Sequence, residues 1–251
     1  MSALPSPDPV YPHILLGMTA TTGIVDAVTL LASGHVFTAN MTGNVLFLGF
    51  ALAGAQGFSI VRSSMALIAF LLGAAAGGRL ATRMTSRPLH YWTSGAFCID
   101  GFLLIGAGLV SLALRSPADE DSIPLLGVIG RTALAMGFRN ATTRKLGVPD
   151  LTTTVLTSTI AGLAADSSLA GGTNPRWRRR VASVLLMFAG AAVGGVIMKR
   201  SVAAALCLCG IASVACALAA FERFPSFSWR RFTERPAGAR ELKDLEQPVR
   251  R

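Results

Sequence analysis

Charge is what this sequence most conspicuously lacks. Only 14% of its 251 residues are Asp, Glu, Lys or Arg, where soluble domains carry roughly 25%. Between Tyr11 and Val61 the sole charged residue is Asp26, and from Val202 to Phe221 there is none. Such runs match the roughly 30 Å of hydrocarbon that a spanning helix must cross, and they exclude an ordinary soluble enzyme domain. Histidine is also scarce: His13, His35 and His90 lie scattered at segment ends, so no metal site is expected. The four cysteines, Cys98, Cys207, Cys209 and Cys216, fall inside apolar segments with no CxxC pair and no His nearby. They read as small apolar fillers, not as a disulfide framework or zinc site. No Ser-His-Asp arrangement, HExxH or Walker-type motif is found, so neither an enzyme nor a cofactor is expected. Residues 1–10 hold no Lys or Arg and no clear cleavage site follows, so the first apolar segment is expected to remain as a span.

What is present is apolar: 52% of residues come from the set AVILMFWYC, and the mean hydropathy is +0.55. Eight apolar segments run at about 12–33, 37–57, 63–82, 90–114, 123–146, 151–166, 180–199 and 202–222. The net charge of +10 would suit a nucleic-acid partner, but the bases sit in short loops beside the apolar segments, as in the positive-inside pattern of membrane proteins. No nucleic acid is therefore expected. Tyr11, Tyr91, Trp92, Trp177 and Trp229 fall near segment ends, where amphipathic rings favour the membrane interface.

The chain also resembles itself. Gly73-Ala-Ala-Ala-Gly-Gly78 recurs as Gly190-Ala-Ala-Val-Gly-Gly195, an offset of 117. Gly23, Asp26, Ala27 and Thr29 face Gly137, Asn140, Ala141 and Thr143 at 114, and Thr38, Thr42 and Gly43 face Thr153, Thr157 and Ser158 at 115. An internal duplication is expected, with a membrane repeat at 11–116 and another at 123–222, an N-terminal segment at 1–10, and a basic, disordered cytoplasmic tail at 223–251. With eight crossings, fourteen loop and tail bases would lie inside and seven outside; with six crossings the split becomes seventeen and four. Six crossings satisfy the positive-inside rule better. The second and sixth segments are then the broken ones: Phe37-Thr-Ala-Asn-Met-Thr-Gly-Asn44 is mostly polar or Gly, and 151–165 carries six Ser or Thr and is short for a span. Such backbone is tolerated at membrane depth only where protein or a watery cavity satisfies it. Three crossings per half make the repeats inverted.

The strings Gly-Ile-Val-Asp-Ala-Val-Thr (23–29), Phe-Thr-Ala-Asn-Met-Thr-Gly-Asn-Val (37–45), Ala-Met-Gly-Phe-Arg-Asn-Ala (135–141) and Asp-Leu-Thr-Thr-Thr-Val-Leu-Thr (150–157) resemble the YoaK family of small integral membrane proteins, over nearly the whole chain except the tail. That family is one of unknown function, so the resemblance implies a multi-pass membrane protein and supplies no substrate. Where the family pattern often has Gln before Asn, this chain has Arg139, which adds charge there.

Asp26 is the sharpest candidate for chemistry, because a carboxylate in a span costs roughly 2.5–3.5 kcal/mol and must face protein, water or a partner. Its role is either a proton or cation site or a hydrogen-bonded helix contact. Thr38, Asn40, Thr42 and Asn44 stand at the first break, where carbonyls and amides can bind an ion or solute or merely cap helices. Asn140, Thr153 and Thr157 are their counterparts in the second half. Asp100 and Arg131, on adjoining segments, are expected to form a structural pair or to snorkel and cap separately. The GxxxG spacings at Gly73/Gly77 and Gly190/Gly194 are expected to pack helices, and such faces serve homo-oligomerisation as readily as internal packing. The sequence thus reads as an all-α integral membrane protein of about six transmembrane helices plus two short broken or re-entrant ones. The bacterial inner membrane, with both termini cytoplasmic, is the expected location. The preferred function is a small-solute or ion permease with a midplane site at the repeat interface. The alternative is a non-transporting membrane protein with a partner-binding or regulatory role.

Overall fold

The computed structural model describes residues 10–84, 87–114, 121–148, 156–174 and 176–222. The regular structure of these residues is entirely helical: α1 (Val10–Ala32), α2 (Met41–Leu52), α3 (Ile60–Arg83), α4 (Leu89–Ser111), α5 (Ile123–Leu146), α6 (Leu156–Ala165), α7 (Trp177–Ile197) and α8 (Val202–Glu222), with a 3₁₀ turn at Ser168–Ala170. Capping chemistry sets several ends. The Ser59 hydroxyl accepts from the Arg62 amide to open α3, and Ser122 accepts from Leu125 to open α5, each engaging an amide the helix leaves unpaired. Gly147, at φ 63°, closes α5 in the left-handed conformation. Five helices, α1, α3, α4, α7 and α8, are long and apolar enough to cross a membrane. The helix α5 is equally long, at 24 residues, but carries Arg131, Arg139, Arg144 and Lys145.

Glycines decide how the helices pair. Gly73 backs directly onto the Leu134 carbonyl and Gly77 onto Phe138, while Gly137 backs onto Phe70 and Ala74. Residue numbers rise together in these contacts, so α3 and α5 run parallel at close range. The helices α1 and α7 do the same: Gly190 meets Ala20, Gly194 meets Ile24, and Gly23 meets Met187 and Ala191. Shifting the α1 residues by 114 (Ala20 to Leu134, Gly23 to Gly137) and the α3 residues by 117 (Gly73 to Gly190, Phe70 to Met187) converts one set of contacts into the other. The helices α4 and α8 instead cross antiparallel, Gly101 against Gly210 and Val214, Gly108 against Cys207 and Ala203.

These pairings orient the chain. A tight turn at 198–201 reverses α7 into α8, so α8 opposes α1, and α4, antiparallel to α8, runs with α1. The short 84–88 connection makes α3 oppose α4, hence α1. The segment 33–59 therefore returns to the end it left, and there Gly34 lies against Arg62 and the His35 ring 6.0 Å from Phe58. By the same reasoning 147–176 returns to the end where α5 stopped. Neither α2, of 12 residues, nor α6, of 10, carries the chain across.

The core follows this arrangement. One buried cluster gathers Tyr11, Leu15, Met18, Trp92, Phe97, Leu146 and Ala217, the ends of α1, α4, α5 and α8 that share a face of the bundle. Another gathers Val36, Ala66, Ala69, Leu125 and Ile129 at the opposite end. The expected interfacial ring is only half realised. Tyr91 and Trp177 are half exposed, but Tyr11 and Trp92 are buried, Tyr11 with its hydroxyl 3.2 Å from Thr93 Oγ1, because each faces the bundle and not its rim. Trp229 lies outside the described residues. The outer surface is apolar, with Leu71, Phe102, Phe188 and Val196 between 64% and 72% exposed, which suits lipid as the solvent.

Candidate functional site

The polarity of 33–40 finds its use beside the last turns of α1. Leaving α1, the chain descends unwound along it, with Thr38 Oγ1 3.5 Å from Thr29 Oγ1. The backbone amides of Thr38 and Ala39 then donate to Asp26 Oδ1 at 3.1 and 2.8 Å. Asp26 lies six residues from the end of α1, about 9 Å inside it at 1.5 Å per residue. Asn44 clasps the break from the other side: its Oδ1 accepts from the Phe37 amide at 2.9 Å while its Nδ2 donates to the Phe37 carbonyl. Two backbone groups that lipid could not satisfy are thus answered by one side-chain amide. Asn44→Leu should leave both groups of Phe37 unpaired and lower stability by about 1–3 kcal/mol. Asn44→Asp, which keeps the acceptor but turns a carboxylate oxygen on the Phe37 carbonyl, should lose at least as much; thermal unfolding of the purified variants measures both.

Past the break opens a cavity of about 300 Å³, lined by Gly23 and Asp26 of α1, Phe37, Ala39 and Asn40 of the break, Leu156, Thr157 and Ile160 at the start of α6, and Met187 and Ala191 of α7. The N-terminal ends of α2 and α6 both reach it, one from each end of the bundle. Asn40, the residue before α2, makes no side-chain capping bond. Asp26 is only 6% exposed. Both amides engage its Oδ1, so among the described residues Oδ2 has no hydrogen-bond partner and its free side is the cavity. Among the described residues, no Lys, Arg or His lines the cavity. At the base of α6, Arg180 donates to the Gly162 carbonyl at 2.7 Å and pairs with Asp166 at 2.6 Å, tying that helix to α7.

Of the expected site residues, Asp26, Asn40 and Thr157 meet at this cavity, and Thr38 joins it through its amide. Asn44 is fully buried in the clasp behind it, Thr42 is exposed away from it, and Asn140, on α5, does not line it. Thr153 lies outside the described residues.

A second polar centre occupies the bundle interior. The Arg139 guanidinium, 1% exposed, holds Asp100, 0% exposed, through two bonds: Nε to Oδ1 at 3.2 Å and Nη2 to Oδ2 at 2.6 Å. Nη2 also donates to Ser213 Oγ at 2.9 Å, and Nη1 to Thr21 Oγ1 at 2.8 Å and Thr22 Oγ1 at 3.1 Å. All five guanidinium N–H groups thus have acceptors, drawn from α1, α4 and α8. Asp100 is not paired with Arg131, which is exposed beside Gly106. The two arginines are separated by two turns of α5, and only Arg139 faces inward.

Comparison with known proteins now places the chain. The family model described as "Protein of unknown function (DUF1275)" matches residues 14–219. The chain belongs to the DUF1275 family. It is 33% identical over 163 residues to the UPF0700 transmembrane protein YoaK of Bacillus subtilis (strain 168), a match covering 63% of this chain and 68% of that protein. No solved structure matches. The resemblance of the four sequence strings to YoaK proteins is thereby upheld, and so is the class of multi-pass integral membrane protein. The matched range of this DUF1275 chain includes every cavity-lining residue as well as Asp100 and Arg139.

Sequence reasoning missed the role of Arg139 in this DUF1275 protein, although a signal was present. Val128, Thr132, Met136, Arg139 and Thr143 recur at helical spacing. In a membrane helix, a stripe that includes polar residues marks the side turned towards protein.

Proposed function

We propose that this protein is a small-solute or ion permease whose binding site is the cavity between α1, the break that leads into α2, α6 and α7. The observation that carries the reading is the meeting of two short helices, entering from opposite ends, at one ionisable side chain inside the bundle. Interrupted helices of this kind present backbone and polar side chains to a solute where continuous helices present none. The matching glycine contacts of α1·α7 and α3·α5 support two inverted repeats, at 11–116 and 123–222, and hence six crossings. Among the described residues, Arg79, Arg83, Arg87, Arg144, Lys145, Arg176 and Arg178 to Arg180 lie towards the end where α1 begins, against Arg62, Lys199 and Arg200 at the other. That excess supports cytoplasmic termini in an inner membrane.

A permease must admit water to this cavity. Thr157→Cys, in a chain with Cys98, Cys207, Cys209 and Cys216 replaced, should react with a membrane-impermeant maleimide in sealed vesicles of one or the other orientation. A control cysteine at lipid-facing Leu72 should stay unlabelled. A Thr157→Cys protein that is inert from both sides would overturn the reading in favour of a non-transporting membrane protein.

A further inference from the structure

Resting on that permease reading, we infer that the cavity takes the ammonium group of a small organic solute, seated against the free oxygen of Asp26 with its carbon body over Phe37 and Met187. Among the described residues, the carboxylate is the sole ionisable side chain that lines the cavity, and no base lines it. The two buried guanidiniums are engaged elsewhere, Arg139 by Asp100, Thr21, Thr22 and Ser213 and Arg180 by Gly162 and Asp166. A carboxylate so enclosed gains most from a cation brought to it, because interactions between charges strengthen as water is removed.

The partial positive charge at the start of α2 would by itself favour an anion. Here, however, the amides of Thr38 and Ala39, which lead into that helix, already hold Asp26 Oδ1. The anion position is occupied by the protein's own carboxylate, and what faces the solute is the remaining oxygen, an acceptor that suits N–H donors. The rest of the lining is consistent with an organic cation and less so with a bare metal ion. Asn40 and Thr157 offer one amide and one hydroxyl, while Phe37, held in place by stacking on Phe47 at 5.5 Å, offers an aromatic face, a favourable partner for alkylammonium groups. A volume of about 300 Å³ is at the lower end of small-molecule pockets.

The test is a thermal-unfolding titration of detergent-purified protein with n-butylammonium, tetramethylammonium, sodium and acetate salts at matched ionic strength, on wild type, Asp26→Asn and Phe37→Leu. Asn at position 26 can still accept from the Thr38 and Ala39 amides, so the fold should survive. n-Butylammonium, which brings N–H donors, should raise the wild-type midpoint more than tetramethylammonium, which brings none, and its apparent Kd should weaken about tenfold or more in Asp26→Asn. Phe37→Leu should weaken the binding of tetramethylammonium. An equal shift in wild type and Asp26→Asn, or a shift with acetate or sodium alone, would overturn the assignment. So would the absence of any alkylammonium shift in a protein whose Thr157→Cys variant is labelled, and that result would leave the permease reading standing. A protein neither labelled nor shifted loses both.

Discussion

Asp100→Asn should be the most destabilising single substitution in the bundle interior. It leaves the Arg139 guanidinium, 1% exposed, without the carboxylate that accepts two of its N–H groups at 3.2 and 2.6 Å. Removing one partner of a buried pair typically costs 3–5 kcal/mol, because the survivor remains charged in a poor solvent. At this chain length that corresponds to a fall in the unfolding midpoint on the order of 10 °C. The loss arises from the stranded charge and not from a missing attraction, so the double variant Asp100→Asn, Arg139→Gln should recover much of it. Gln is also the residue that the resemblance to YoaK proteins leads one to expect at 139. A double variant as unstable as the single would show that the pair itself, and not the uncompensated guanidinium, stabilises the bundle. Neither variant should alter labelling of Thr157→Cys, since the cluster and the cavity share no side chain.

A single methyl group at Gly137 or Gly73 should cost about 1–3 kcal/mol, the range for inserting a carbon into a tightly packed contact. At both positions the new Cβ would fall on a backbone carbonyl of the facing helix, Phe70 for Gly137 and Leu134 for Gly73. Backbone cannot rotate aside as a side chain can, so the helices must separate. Gly23→Ala and Gly190→Ala should cost similar amounts in α1·α7, where the facing carbonyls are those of Met187 and Ala20. Gly78 supplies the control. It adjoins Gly77 on the same helix, but a Cβ there meets nothing within 4 Å, and Gly78→Ala should be neutral or stabilise by up to about 1 kcal/mol. Combining Gly73→Ala with Gly137→Ala should cost less than the sum, because one separation accommodates both methyls. Thermal unfolding of the five single variants and the double variant measures the set. Equal gains at Gly73 and Gly78 would mean that helix propensity, not close approach, governs these positions.

Much of the architecture was legible because membrane insertion constrains sequence so strongly. Six of the eight apolar segments coincide with long helices to within a few residues. The two segments judged broken fold as α2 and α6, of 12 and 10 residues. Polar residues inside apolar runs are costly, so their presence at 26, 40 and 157 marked a place where protein or water must receive them, and these three do meet. The same logic over-reached at Thr42 and Asn140. Polarity shows that a side chain needs a partner but says nothing of which one, and a turn of helix separates a residue facing the cavity from one facing away.

The class of protein, the approximate helix boundaries, the two interruptions and the presence of a carboxylate at 26 inside a span could be read from the residues alone, since each follows from the cost of placing polar groups or unpaired backbone in hydrocarbon. Only the tertiary structure decided who meets whom. Measured from the end of the bundle where α4 begins and α5 stops, Asp100 lies at about 17 Å, with Arg139 and Arg131 about 6 Å to either side of it at 1.5 Å per residue. Depth therefore does not choose between the two arginines. The rotation of α5, set by Gly137 locking against Phe70 and Ala74, turns Arg139 towards Asp100 and leaves Arg131 outside. The cavity has the same origin: α2 and α6 are far apart in the chain, and their starts converge because glycine contacts hold α1 on α7.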